Sequence, residues 1–169
     1  MDAGSLVGVW DLQSWIQRYD DGRVQRPFGE RPVGQLVYTA GGQMSGVIAA
    51  PDRPSLTQGQ WTSPPEEAAA AYATFLAYAG LFTIEGDTVI HHVRISSFPN
   101  WVGASQRRRA SLDHGLLTLS GRVEAETVNA RTVELAWRRV EPQTPVPVQE
   151  ADDTTATDDP SSRKETQTC

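Results

Sequence analysis

Apolar and polar residues alternate in short runs through most of residues 6–140, the period-two pattern of strands that bury one face. From Gly8, the positions Trp10, Leu12, Ser14 and Ile16 fall on one side, with Asp11, Gln13 and Gln17 on the other. Turn chemistry interrupts the alternation at Asp20-Asp21-Gly22, Ala40-Gly41-Gly42, Glu85-Gly86-Asp87, Asp113-His114-Gly115 and Asn129-Ala130. These turns separate paired runs: 33–39 with 43–49, 81–84 with 88–97, 106–112 with 116–120, and 122–127 with 131–140. About ten short strands joined mainly by hairpins predict an all-β domain closed into an antiparallel barrel, because closure removes the exposed edges.

Residues 63–79 break the pattern. Ser63-Pro64-Pro65-Glu66 reads as a capping box with proline at the first helical position. Glu66 and Glu67 sit where a helix N-terminus favours negative charge. Tyr72, Phe75, Leu76 and Ala79 recur at i, i+3, i+4 and i+7, and Gly80 supplies a stop. The spacing predicts one helix over about 64–78, lying against the barrel near one mouth. A loop rich in proline and glycine, at 51–62, leads into it.

Charge adds a boundary. The 169-residue chain carries 15 basic and 21 acidic residues, a net of −6. Seven of the acidic ones (Glu141, Glu150, Asp152, Asp153, Asp158, Asp159 and Glu165) lie after residue 140, against only Arg163 and Lys164. The expected organisation is therefore a nearly neutral barrel domain over 1–140 and an acidic, disordered tail over 141–169, whose composition is too poor in large apolar residues to order itself. A neutral body gives no field for nucleic acid or an anionic membrane. Arg107-Arg108-Arg109 alternates faces on a strand and so does not form a basic patch.

Absent residues narrow the chemistry. The single cysteine is Cys169, and the single lysine is Lys164, so the barrel offers no thiol nucleophile, Cys metal cluster, Schiff base or Walker lysine. No apolar run is long enough for a membrane span, residues 1–8 lack a signal-peptide layout, and the last five residues lack a prenylation pattern. A soluble, cytoplasmic protein is expected. His91 and His92 are adjacent on a strand and point to opposite faces, so they do not form a metal site. No metal and no cofactor is called for, and the oligomeric state is left open.

Several segments carry a resemblance. Leu6-Val7-Gly8-Val9-Trp10, Pro32-Val33-Gly34-Gln35-Leu36-Val37-Tyr38-Thr39 and Gly42-Gln43-Met44-Ser45 resemble the opening of the lipocalin-like domain family. So do Tyr78-Ala79-Gly80, His91-His92-Val93, Phe98-Pro99-Asn100-Trp101-Val102-Gly103, Gln106 with Arg108, and Leu135-Ala136-Trp137. The resemblance runs in order over residues 6–140 and implies a lipocalin-like closed antiparallel β-barrel. It further implies that some members sit in natural-product pathways and assist cyclisation of a reactive polyketide intermediate without a cofactor.

One face of each strand of a small barrel lines its interior. The period turns inward Trp10, Leu12, Ser14 and Ile16; Leu36 and Tyr38; Met44 and Gly46; and Gly80, Phe82 and Ile84 together with Tyr78. It then turns inward Val89, His91, Val93 and Ile95; Gln106, Arg108, Ala110 and Leu112; and Val133, Leu135 and Trp137. Apolar walls with a few polar groups (Ser14, Tyr38, His91, Gln106, Arg108) describe a small-molecule pocket. A filled barrel whose polar groups satisfy one another is the competing reading. Arg108 has no acid partner on the inward faces and calls for an anionic or carbonyl ligand, or else for structural bonds to Gln106, Tyr38 and backbone. His91 is either a general acid or base or a satisfied core histidine. Trp101 and Asn100, near a mouth, either stack on and bond a flat ligand or plug the end.

Two functions follow. One, which the resemblance implies, is a cofactor-free cyclase or isomerase acting on a phenolic or polyketide intermediate, by stereoselective addition of a hydroxyl to an alkene inside the barrel. There His91 or Tyr38 moves the proton while Arg108 and Gln106 hold the charge. Trp10, Ser14, Met44, Phe82, Asn100, Trp101, Gln106 and Trp137 surround the substrate. The other is a carrier that binds an apolar small molecule unchanged.

Overall fold

The computed structural model describes residues 2–141. The expected acidic tail, apart from its first residue Glu141, lies outside the described residues. Nine strands are present among the described residues: β1 (Gly8–Tyr19), β2 (Val24–Gln25), β3 (Val33–Tyr38), β4 (Gln43–Ala49), β5 (Phe75–Glu85), β6 (Thr88–Ser96), β7 (Ser105–Asp113), β8 (Leu116–Val123) and β9 (Arg131–Arg139). All neighbours pair antiparallel, in the order β2-β1-β3-β4-β5-β6-β7-β8-β9, and β1 also pairs with β9. Eight strands thus close a barrel, with β2 as an extra strand on β1. The closed antiparallel barrel expected from the alternation is the fold.

Closure depends on β1, which is 12 residues long and serves two neighbours on one edge. Its first half pairs with β3, from Gly8↔Tyr38 to Asp11↔Gln35. Its second half passes to β2, while β9 runs along its whole other edge. Between Leu12 and Ser14 the register with β9 shifts, leaving Gln13 as a bulge. A bulge bends the strand and exchanges its two faces. Trp15 and Gln17, not Ser14 and Ile16, therefore continue the inward row, and the expected interior position of Ser14 is corrected. A second bulge at Arg94 does the same on β6, where Ala79 pairs with Ile95 but Gly80 with Val93. Ile95, expected inside with Val93, is 71% exposed.

The helix is shorter than its apolar spacing predicts. α2 spans Pro65–Ala73, and residues from Phe75 onward form β5, in register with β4 from Ala49↔Phe75 to Gln43↔Leu81. Seven ladder positions outweigh the helical periodicity of Tyr72, Phe75, Leu76 and Ala79, a case of tertiary pairing overriding local preference. No residue of α2 is buried. The capping box does not form. Pro64 is the N-cap without a side-chain bond, Ser63 Oγ donates to the Gly59 carbonyl, and Glu67 accepts from Thr57. The two runs expected at 116–120 and 122–127 are likewise one strand, β8, followed by a turn.

The interior is filled at one end and hollow at the other. The filled end is where β1 begins and β9 finishes. There α1 (Ala3–Leu6) adds Leu6 to the buried cluster that includes Trp10, Leu36, Tyr38, Met44, Phe82, Val89 and Leu117. Trp10 Nε1 donates to the Leu6 carbonyl at 2.9 Å, and Arg139 spans the Ser5 and Val7 carbonyls while stacking on the Trp10 ring. No helix among the described residues is long and apolar enough to cross a membrane.

Candidate functional site

A cavity of about 670 Å³ occupies the other half of the barrel and reaches its open end. Ile48, Leu76, Leu119, Val133 and Leu135 give it aliphatic walls, and Trp15, Tyr78, Trp101 and Trp137 aromatic ones. Its polar lining comes chiefly from β6 and β7, where His91 and Gln106 face each other across the ladder and Arg108 lies opposite Val89. At the mouth stand Phe98 and Trp101, Arg122 paired with Asp20, and Arg131 with Glu124.

His91 is 1% exposed and its two ring nitrogens are both engaged. Tyr38 Oη lies 2.7 Å from Nε2, and Tyr78 Oη lies 3.2 Å from Nδ1. Hydrogen-bond accounting selects the tautomer. Tyr38 is 1% exposed and has no other partner among the described residues, so its hydroxyl must donate to Nε2. Nδ1 then carries the proton and donates to the Tyr78 oxygen. The Tyr78 hydroxyl proton is left to point into the cavity that Tyr78 lines.

Burial, with the Arg108 charge as the next cause, pushes the His91 pKa from its ordinary 6.5 to about 3, so the ring is neutral around pH 7. Burial likewise raises Tyr38 well above, and Tyr78 above, the ordinary tyrosine value. Arg108 is lowered by desolvation and pulled back up by the two tyrosines, yet a guanidinium remains charged. It donates from Nη2 to Gln106 Oε1 at 2.9 Å and from Nη1 to the Arg107 carbonyl at 3.1 Å. Two glycines make room for these donors. A Cβ on Gly46 would stand 3.0 Å from the Tyr78 ring, and one on Gly121 would stand 2.9 Å from both Arg108 Nη1 and the Arg107 carbonyl oxygen.

The remaining polar groups share one character. The buried side-chain polar atoms without a partner among the described residues are Trp15 Nε1, Gln106 Nε2, Arg131 Nε and Trp137 Nε1. Each is a donor, and each belongs to a residue on the cavity lining. The Arg108 bond fixes the Gln106 amide with its NH₂ free. With the Tyr78 hydroxyl and Arg108 added, the residues lining the cavity are rich in donors. Buried polar groups are normally satisfied, so a donor-rich lining suits an acceptor-bearing molecule or water.

The structure brings His91, Arg108, Gln106, Trp101 and Trp137 together on this cavity, with Tyr38 immediately behind His91. It does not bring the others. Trp10, Met44 and Phe82 face inward but lie in the filled half, where Phe82 packs on Tyr38 at 4.7 Å between centroids. Ser14 is displaced by the bulge. Asn100 is exposed on the short 3-10 helix Pro99–Trp101, while its neighbour Trp101 turns its ring edge-on to Tyr78 at 5.6 Å. Trp15, Gln17 and the mouth ion pairs were missed. A large aromatic at Trp15, on what the simple alternation makes the wet face, was the available signal of a phase change. His92 lies outside, between Thr83 and Ser105, and no three metal-ligating residues gather among the described residues.

A neutral buried histidine has a stability signature. The folded state resists protonation down to about pH 3, whereas the unfolded chain binds that proton near 6.5. The unfolded state therefore holds more protons between these values, and stability falls as pH drops through that window. Urea unfolding is expected to lose on the order of 1 kcal/mol per pH unit between pH 6 and 5, above the midpoints of ordinary carboxylates. A flat profile there would show that His91 is not desolvated.

The sequence profile of the lipocalin-like domain matches residues 7–140. The 4'-hydroxy-3'-methoxypropiophenone carrier protein ppsC of Aspergillus oryzae is 43% identical over 63 residues, covering 32% of this chain and 57% of that protein. The match thus spans a little over half the length of that relative. Among solved structures, a lipocalin-like protein from Bacteroides uniformis gives a TM-score of 0.44 at 13% identity, covering 81% of this chain and 100% of the other. An uncharacterized protein from Bacteroides eggerthii gives 0.42 at 13% identity, covering 80% and 99%.

Proposed function

Because the chain belongs to the lipocalin-like domain family, we propose that its half-hollow barrel receives an oxygenated aromatic ketone of the phenolic or polyketide kind and promotes its ring closure without a cofactor. The observation that carries this reading is the donor-rich lining: the unpartnered buried side-chain polar atoms among the described residues are all donors, and all belong to residues that line one cavity. Aromatic walls suit a flat ring, while Arg108, Gln106 and Tyr78 suit its oxygens. A relative named as carrier of a hydroxy-methoxy-propiophenone supports the same ligand class.

The chemistry follows from those donors. When a ligand hydroxyl adds to its own conjugated alkene, an O–C bond forms, the double bond becomes single and negative charge collects on the carbonyl oxygen. The hydroxyl proton ends on the carbon next to that carbonyl, so the formula is unchanged and no oxidant or reductant is needed. Arg108 and the Tyr78 hydroxyl hold the developing oxyanion, and the cavity walls select one folded conformer. His91 is better suited to aim Tyr78 than to act as a base, since its nitrogens are spent and its pKa is about 3. That same feature favours the second reading, a carrier holding the ligand unchanged.

A hydroxyaryl enone separates the two. Its binding is read from quenching of tryptophan fluorescence, and its fate from chiral chromatography. Conversion to one enantiomer faster than in buffer supports the cyclase, whereas tight binding with the ligand recovered intact supports the carrier. No binding of any hydroxyaryl ketone would remove both.

A further inference from the structure

The cavity carries one uncompensated charge. The other cations on its lining are matched by carboxylates: Arg122 by Asp20, Arg131 by Glu124 at 2.8 Å, and Arg107 by Glu85 at 2.6 Å. Arg108 meets only neutral acceptors among the described residues, the Arg107 carbonyl and the Gln106 amide oxygen. The groups around it add no negative charge. His91 is neutral, both tyrosines are held in their protonated forms, and the unpartnered buried polar atoms of the lining residues are donors.

We infer that the site takes its ligand as a monoanion, a phenolate or enolate whose charged oxygen sits between the Arg108 guanidinium and the Tyr78 hydroxyl, and that binding ionises a weakly acidic phenol or enol, whose proton is released to solvent. The inference rests on the ligand class proposed above and adds the ligand's protonation state. A partly buried cation without a counter-ion is costly, and a neutral ligand oxygen leaves that cost in place. One negative charge removes it, while a second would find no further unpaired cation on the lining. The Tyr78 hydroxyl is suited to the same task, because the tautomer of His91 forces it to donate. Aromatic rings at Trp15, Trp101 and Trp137 place a flat ring, whose oxygen is in its plane, against those two donors. An opposite charge at a few ångströms lowers the pKa of an acid by about 1–3 units.

The test is a spectrophotometric pH titration of a para-hydroxyphenyl ketone bound to the full chain, since its phenolate absorbs at longer wavelength than its phenol. The matching methyl ether, which cannot ionise, and the matching benzoic acid serve as comparison probes. The half-ionisation pH of the bound ketone is expected to fall by at least about one unit. The ether is expected to bind at least about tenfold more weakly at pH 8, and Arg108→Gln to return the half-ionisation pH to near its free value. If the ketone binds with its free or a raised pKa and the ether binds equally well, the ligand is held neutral and the inference is wrong, although the ligand class stands. If the benzoic acid outcompetes the phenol, the anion is a carboxylate and the phenolate assignment is overturned. If neither ketone nor ether binds, the ligand class itself fails and takes the inference with it.

Discussion

Replacing Trp10 by alanine is expected to destabilise the barrel by about 4 kcal/mol, a loss that lowers the thermal midpoint by roughly 10 °C or more. Trp10 is 0% exposed, its indole N–H is bonded to the Leu6 carbonyl, and the Arg139 guanidinium stacks on it 4.1 Å from the ring centroid. Removing the ring opens a void in the filled half and frees α1, which closes that end. Trp10→Phe keeps most of the volume and loses the N–H bond, so it is expected to cost about 1–2 kcal/mol. Because Trp10 lies away from the cavity lining, Trp10→Phe should leave affinity for a phenolic ketone within about twofold, which calorimetric titration can read. A folded Trp10→Phe protein that loses binding would show that the cavity extends into the half described as filled.

The same residue illustrates what the amino-acid pattern conveys. Strand period tells which side a residue faces, and on β7 and β9 the rows Gln106, Arg108, Ala110, Leu112 and Val133, Leu135, Trp137 face inward as the alternation predicts. Period says nothing about height along the barrel. Trp10, Met44 and Phe82 are therefore inward yet outside the site, because packing at the α1 end was invisible in one sequence. Bulges were the second obstacle. The faces exchange after Gln13 and after Arg94 without any glycine or proline to announce it, which hid Trp15 and Gln17 and placed Ile95 inside. The third was local ambiguity. The run from Phe75 to Ala79 carries both a helical and a strand pattern, and only the long-range ladder with β4 decides between them. Tyr78 was legible as an inward residue beside Phe82, but its bond to His91 depends on that ladder and on the tautomer set by Tyr38.

The pairing of a neutral histidine with two tyrosines also bears on how the site is built. A base poised near neutrality needs an imidazole nitrogen free to take a proton, and both nitrogens of His91 are bonded to tyrosine hydroxyls. Its burial supports the hydroxyl of Tyr78 as a fixed donor, at the cost of stability below pH 6.5. Gly46 and Gly121 complete the arrangement by leaving space for the Tyr78 ring and the Arg108 side chain. A donor pair held this way binds an oxyanion in the ground state as readily as one that develops during ring closure. Carrier and cyclase accordingly differ in the ligand's own reactivity more than in the protein groups around it.

Arg108→Met tests the central claim most directly, because it keeps much of the stem and removes every guanidinium donor. Calorimetric titration with a para-hydroxyphenyl ketone at pH 8, beside a thermal melt of the same protein, is the measurement. Loss of a partly buried, charge-assisted contact is worth roughly a hundredfold in affinity, and any turnover should fall by about 10²–10³. The melt should hold or rise, since Arg108 has no carboxylate partner among the described residues to lose. A folded Arg108→Met protein that binds the ketone with wild-type affinity and turns it over at the wild-type rate would contradict the account, and would make Arg108 a structural residue.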